Sequence, residues 1–328
     1  MTGYGFTRVD DAAALPAALG GGVVAIGNFD GVHRGHLAVL DRALALARAE
    51  GRPALVLTFE PHPRSLFNPG DPVFRLTPAP MRARLLAELG FDGVVEQRFD
   101  RAFAGLEPHA FVHTILRDGL SIAHAVTGFD FHFGRKRAGG PAYLMEAGHR
   151  EGFGVTLVDA FRDEGADVVS SSRIRTALAE GDVSGAAGLL GYRYAVEATV
   201  AHGQKLGRTI GYPTANMALP DDNRLAHGIY AVRLRRADGT LHDGVASFGR
   251  RPTVTSDGAP LLETFVFDFD GDLYGEDCAV SFFGRLRGEK KFDGLDPLVA
   301  QMRIDEAEAR ALLAGVRPLS PLDAAVTF

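Results

Sequence analysis

His33 and His36 close the stretch "GNFDGVHRGH" (27–36), which follows the apolar run "VVAI" and precedes "LAVLDRALALARAEG". Imidazoles three residues apart at the mouth of a helix project to one side of it, beside free backbone N–H groups and the positive end of the helix dipole. Glycines 27, 31 and 35 let the backbone turn tightly and approach a ligand closely. That combination suits an anion, and two ring donors beside it suit a phosphate on which charge builds during transfer. A histidine pair at this spacing is also half of a zinc site, but zinc takes three or four protein ligands and no third is obvious. The glycine spacing is not the dinucleotide G-x-G-x-x-G, and no Gly-Lys-Ser/Thr follows as in a Walker A loop. A generic phosphate turn stays open beside the catalytic reading.

Three further stretches carry polar groups at useful spacings. In "VSSSRIR" (169–175), hydroxyls and arginines open a helix, so Ser171, Ser172 and Arg175 could converge with backbone N–H groups on a polyphosphate. A serine N-cap on a surface helix explains the same residues. In "GQKLGRTIGYPTAN" (203–216), Gly203, Gly207 and Gly211 favour close backbone approach to a nucleotide, and no helical pattern follows them. Thr214 and Asn216 are two apart, which in an extended segment puts both side-chain oxygens on one face. Hydroxyl and amide oxygens are hard donors that could complete a Mg²⁺ shell together with phosphates and water; an ordinary Pro-Thr turn into a strand is the plainer reading. Glu263 opens "ETFVFDFDGDLYG", where Phe265, Phe267 and Phe269 share its face. An unpaired carboxylate is costly on an inward face. The mouth of a barrel suits it better, where it could take a proton from a substrate hydroxyl, although a strand-end glutamate reaching solvent has the same period. Asp268, Asp270 and Asp272 read as outer face and turn rather than as a cation site.

Two kinds of scaffold are needed to position these groups. Residues 22–175 alternate apolar runs (23–29, 54–60, 92–99, 122–131 and 154–161) with helical segments, the pattern of a doubly wound parallel sheet covered on both faces. In the first of these helices Leu37, Leu40, Leu44 and Ala47 form one stripe and Gly51 supplies a stop. Residues 192–285 read as strands joined by turns, with "ADGT" (237–240) a hairpin signal, and predict an antiparallel barrel. The tail from "DGLDPLVAQM" returns to helical spacing and predicts one or two helices packed on that barrel. The boundary falls near 185–190, giving domains of 1–187 and 188–328. The length of 328 residues suits two such cores. Cys278 is the only cysteine, which excludes an intramolecular disulfide and a cysteine-built metal site. A net charge of −6 argues against a general nucleic-acid binder, and no run is long and apolar enough for a membrane span. With no leader-like N-terminus, a cytoplasmic location is expected.

Taken together, "GNFDGVHRGH", "LTFEPHPR" (57–64), "GFDFHFGRKRAG" (128–139) and "VSSSRIR" resemble, in order and flanks, the FMN adenylyltransferase domain of bacterial bifunctional riboflavin kinase/FAD synthetases. That domain is a Rossmann-like nucleotidyltransferase. The resemblance continues through "GQKLGRTIGYPTAN", "GIYAV" (228–232), "GRRPTV" (249–254), Glu263 and "RLRGEKKF" (285–292), which are similar to the riboflavin kinase domain of the same family. It implies that His33 and His36 stabilise the reacting phosphate and that Asn28, Phe29, Gly35, Ser171, Ser172 and Arg175 bind ATP. Phe59, Pro61, His62 and Asp130 would contact FMN. In the kinase half it implies that Gly203, Gly207, Gly211, Pro213, Thr214 and Asn216 hold Mg²⁺–ATP, with Thr214 and Asn216 on the metal. Glu263 would be the catalytic base, and Arg287 and Phe292 would close over flavin. Riboflavin, ATP, FMN and FAD would be substrates and products, flavoproteins the eventual recipients, and neither nucleic acid nor membrane a partner. Two positions depart from the family's habit: Ser247, where Asn is frequent, and Ser172, where Thr is frequent. A different phosphate acceptor, a non-catalytic flavin-binding regulator and a chain with one active half are the competing readings.

Overall fold

Val23–Ile26 is completely buried and forms β2, a central strand of the first of two compact units, Met1–Ser170 and Ser171–Phe328. The computed structural model describes residues 5–202, 211–252 and 257–328. The other strands of the first unit are β1 (Thr7–Val9), β3 (Ala54–Glu60), β4 (Gly93–Arg98), β5 (His124–Gly128) and β6 (Gly154–Val158). All pair in parallel, in the order β1-β4-β3-β2-β5-β6. Burial along all of β2 and nearly all of β3 requires cover on both faces, which the crossover helices supply. One of them, Arg34–Glu50, buries Val39, Leu40, Ala43, Leu44 and Ala47, so the stripe is wider than the expected one and leaves Leu37 half-buried. It stops at Gly51 in the left-handed region (φ 63°), as expected.

From β2 the chain builds β3 and β4 to one side, then returns to lay β5 and β6 on the other. The sheet therefore has its switch point between β2 and β5, the place at whose carboxyl ends open α/β sheets bind their ligands. The expected strands 122–131 and 154–161 are shorter than read, ending at Gly128 and Val158; beyond the first, the backbone turns back so that the Phe131 N–H donates to the Gly128 carbonyl (3.1 Å).

The second unit opens with helices Ser171–Glu180 and Val183–Leu190. Its strands are β7 (Ala195–Thr199), β8 (Thr214–Ala218), β9 (Gly228–Arg235), β10 (Leu241–Pro252), β11 (Asp257–Val266) and β12 (Asp277–Arg287). They pair antiparallel in the order β7-β12-β9-β10-β11-β8. The Ala201 N–H donates to the Asn216 carbonyl (2.8 Å), which brings the two edges together into a nearly closed barrel. The β9–β10 hairpin turns at "ADGT" with Gly239 at φ 86°, where a glycine is needed.

Leu262, Thr264, Phe248, Tyr230 and Phe282 fill the barrel interior. On β11 the alternate residues Glu263 and Phe265 take the outer face, which the C-terminal helix Leu295–Ala314 covers with Ala309 and Leu313. A second helix, Pro321–Thr327, follows. The phenylalanine row is thus an outer row under a helix. Asp268 is gripped by Arg310, and Asp272 caps the Tyr274 N–H, so these carboxylates serve a turn and outer face as expected. No helix among the described residues is long and apolar enough to cross a membrane.

Candidate active site

The loop after β2 is shaped by bonds to its own backbone. His33 stays extended (φ −74°, ψ 170°) and is the N-cap of the helix Arg34–Glu50, its Nδ1 accepting the His36 N–H at 3.2 Å. The two imidazoles stack with centroids 3.6 Å apart and planes 16° from parallel. The histidines face one way, as expected, but through the cap: only His36 lies in the helix. A ring nitrogen that accepts a backbone N–H carries no proton itself, so the His33 proton is assigned to Nε2, where it can be donated to an anion.

Gly35 is needed by the ring. A Cβ there would sit 3.1 Å from His33 Nδ1 and 3.0 Å from the Val169 carbonyl oxygen. Val169, the first residue of "VSSSRIR", is held over the loop because its N–H donates to the Phe161 carbonyl (3.1 Å), while Arg34 stacks on Phe161 and pairs with Glu164 at 2.6 Å. Gly27 similarly makes room for the Phe29 ring, 3.0 Å from where its Cβ would lie. These two glycines accommodate side chains of the loop itself, a reason the sequence did not reveal.

Phe29 is buried and meets His36 edge-on (centroids 5.3 Å), so its side chain supports the imidazole, and the Asn28 side chain is exposed. The Asn28 carbonyl points inward and accepts from Thr58 Oγ1 (3.0 Å) and Arg82 Nη1 (3.3 Å). Asp30, 1% exposed, accepts the N–H groups of Leu76 and Thr77 at 3.0 Å each, and Thr77 Oγ1 accepts the Gly31 N–H at 2.8 Å. Sequence reading missed Thr58, Thr77, Arg75 and Arg82. An arginine inside the otherwise buried stripe of the helix Ala79–Glu88 was the available signal.

At the neighbouring carboxyl end of β3, Phe59 packs into the core against Phe99 and Phe103 (5.9 and 5.8 Å). The Glu60–Pro61 peptide is cis, Pro61 is exposed, and His62 is a buried N-cap whose Nδ1 accepts the Arg64 N–H. Asp130 is exposed in the loop after β5, across the switch point. Ser171 and Arg175 lie four apart on one side of the helix Ser171–Glu180, which buries Ile174 and Leu178; Ser172 is exposed. Among the described residues no three His, Cys, Asp or Glu side chains gather as a metal cluster.

In the second unit, register creates the candidate site. Asn216 on β8 lies opposite Glu263 on β11, and Glu263 lies opposite Ser247 on β10. The row continues through Ile229 on β9 to Arg287 on β12. Directly opposed residues share a face with Cβ atoms roughly 5 Å apart. Thr214, opposite Phe265, joins that face as the two-residue period requires. Asn216 is 5% exposed; its Nδ2 donates to the Thr214 carbonyl at 3.0 Å and lies 3.5 Å from Thr214 Oγ1. Its Oδ1 is buried with no hydrogen-bond partner among the described residues, an orphaned hard oxygen suited to a divalent cation.

Arg287 forks onto Asp305 of the C-terminal helix (2.9 and 2.6 Å) and lies over the Phe292 ring at 5.9 Å. Pro213 and Gly211 are exposed, the latter at φ 85°. Gly203 and Gly207 lie outside the described residues.

The FAD synthetase family model matches residues 15–173, and the riboflavin kinase model matches residues 190–313. The bifunctional riboflavin kinase/FMN adenylyltransferase of Listeria monocytogenes is 41% identical over 89% of this chain and 92% of its own length. The enzyme of that name from Pseudomonas fluorescens is 42% identical over 90% and 94%, and that of Escherichia coli K12 is 40% identical over 91% and 95%. A solved structure titled a macrolide-efflux protein from Streptococcus pneumoniae superimposes with a TM-score of 0.82 at 31% identity, covering 93% of this chain and 98% of that one. The efflux wording describes that protein, and the likeness adds the fold to what the sequence relatives carry. With both halves matched in order and relatives aligned along nine-tenths of its length, the chain belongs to the family of bifunctional riboflavin kinase/FMN adenylyltransferases.

Proposed function

We propose that the chain carries two consecutive transfers: riboflavin and ATP to FMN and ADP, then FMN and a second ATP to FAD and pyrophosphate. The first is assigned to residues 188–328 and the second to 1–187. The carrying observation is the row Asn216–Glu263–Ser247, which supports a carboxylate working directly beside hard oxygen donors. A ribityl hydroxyl is a poor nucleophile at neutral pH. Glu263 takes its proton as the oxygen attacks the γ-phosphate and ADP leaves. Asn216 Oδ1 and Thr214 Oγ1 would hold Mg²⁺, which when bound neutralises charge on the nucleotide phosphates.

The adenylyl step has a different need. The FMN phosphate is already ionised, so it attacks the α-phosphate without a strong base and pyrophosphate departs. His33 and His36 act as preorganised donors to the α-phosphate and leaving group, with the first N–H groups of the helix beside them. Ser171, Ser172 and Arg175 grip the β- and γ-phosphates; Pro61, His62 and Asp130 are the proposed FMN contacts, and Arg287 and Phe292 the flavin contacts of the kinase. Phe29 and Phe59 act from beneath, by packing. A cytoplasmic setting, with flavoproteins receiving the product and neither nucleic acid nor membrane involved, completes the proposal.

The test is incubation of the purified chain with riboflavin, ATP and Mg²⁺, followed by separation of the flavins over time. FMN should rise and then yield to FAD. His36→Ala should stop FAD formation and spare FMN formation, and Glu263→Ala should do the reverse when FMN is supplied. No flavin conversion would refute the proposal, and loss of the same step in both variants would refute the assignment of chemistry to halves.

A further inference from the structure

Beneath the histidine loop, charges alternate in single file. Arg8 Nε pairs with Glu96 Oε2 at 2.7 Å, and Glu96 Oε1 with Arg82 Nη2 at 3.0 Å. The same Arg82 nitrogen reaches Glu60 Oε1 at 2.7 Å. Glu60 takes both Nη atoms of Arg75 at 2.9 and 2.8 Å, and Arg75 Nε lies 3.5 Å from Asp30 Oδ1. Three guanidiniums thus face three carboxylates, from the edge strand β1 to the loop. Neither proposed transfer uses any of them.

Arg82 is fully buried. Stability is a weak reason for such a file, since well-packed apolar residues would serve as well or better. Its geometry gives another. The file meets the loop at two points: from its middle Arg82 Nη1 donates to the Asn28 carbonyl, and at its end Arg75 faces the Asp30 carboxylate that holds the Leu76 and Thr77 N–H groups. Asn28 and Asp30 precede the His33 cap by five and three residues.

We propose that Arg82, acting with Arg75, is a positioning residue for adenylyl transfer, setting Asn28 and Asp30 and through them the His33–His36 stack. The role rests on the function proposed above for the first unit. A planar fork reaching a carbonyl and two carboxylates at once cannot be replaced by the point charge of lysine.

The test measures kcat and KM for FAD formation from FMN and ATP in Arg82→Lys and Arg75→Lys, with riboflavin phosphorylation by the same preparations as the internal control. The expected result is a roughly ten- to hundredfold lower kcat with KM for ATP and FMN within about threefold, because bound substrates meet a displaced donor pair. Riboflavin phosphorylation should stay within twofold. Arg75 is partly exposed, so its variant carries the test if Arg82→Lys fails to fold. A folded variant with unchanged kcat, or one whose loss lies wholly in KM, would overturn the positioning role. An unsubstituted chain that makes no FAD would overturn the assignment beneath it.

Discussion

Gly35→Ala should separate the phosphate chemistry of the first unit from stability in general. The added methyl would lie 3.0 Å from the Val169 carbonyl oxygen and 3.1 Å from both Cε1 and Nδ1 of His33. Comfortable contacts to carbon lie near 3.5–4 Å, so one neighbour must yield. Val169 is tied to Phe161 through its backbone, whereas the His33 ring turns about side-chain bonds, so the ring moves. Its displacement removes the cap bond to the His36 N–H, worth about 1 kcal/mol. Residual crowding costs about 1–3 kcal/mol, and alanine in place of glycine near a helix start returns at most about 1 kcal/mol. The net loss is about 1–4 kcal/mol, a fall in Tm of less than about 16 °C for a unit of this size. The effect on chemistry is larger, because misplacing one preorganised donor costs about 10²- to 10³-fold in rate. Stopped-time separation of flavins at saturating ATP should therefore show FAD formation from FMN reduced about 10²-fold, with FMN formation from riboflavin within twofold. Wild-type FAD formation in a variant shown by crystallography to carry the methyl would refute the reasoning, as would equal loss of both activities.

The remaining expectations concern the barrel site, its anchoring and the ion file. Asn216→Ala should raise the Mg²⁺ concentration for half-maximal riboflavin phosphorylation by about tenfold or more and leave FMN adenylylation alone; an unshifted Mg²⁺ curve would detach Asn216 from the metal. Asp323 is fully buried and accepts from the Arg193 backbone and guanidinium and from the Leu319 N–H. Asp323→Ala should therefore cost about 3–5 kcal/mol in a denaturant titration, and a midpoint unchanged from wild type would contradict this. Burial pushes the Glu60 carboxyl upward, but the hydrogen bonds and charge of Arg75 and the charge of Arg82 outweigh it and hold Glu60 below the ordinary value of 4.5. A carboxyl lowered on folding stabilises fully above its unfolded value, and that contribution is lost as pH falls through the depressed one. Melting temperatures measured from about pH 5 down to pH 3 should accordingly fall more steeply for wild type than for Glu60→Gln, and superimposable acid limbs would argue against the coupling.

The helix after the loop and the strand at 54–60 were legible because hydrophobic period and a left-handed stop at Gly51 are local properties. The edge strand Thr7–Val9 was not, because three residues carry no period. "VSSSRIR" and "GNFDGVHRGH" could be recognised as phosphate-like from composition. That Val169 lies over Gly35 depends on the return of the chain from β6, which no local pattern encodes. The ion file joins residues 88 positions apart in its Arg8–Glu96 link, and only the parallel pairing of β1 with β4 brings them to one end of the sheet.

Residue type and spacing determined the chemistry available to this chain: a candidate anion site with two imidazoles, a pair of hard oxygens at 214 and 216, and a carboxylate at 263. Tertiary structure decided which of these lie side by side. On β11 both faces are largely apolar, so alternation alone could separate Glu263 from Thr264 but could not say which faced the barrel interior. Register across β8, β11 and β10 set Asn216, Glu263 and Ser247 side by side, and the C-terminal helix covering the phenylalanines marked that face as the outer one. The histidines likewise stack through a cap bond that forms only once the helix behind them is in place, so their presence was written in the sequence and their geometry in the fold.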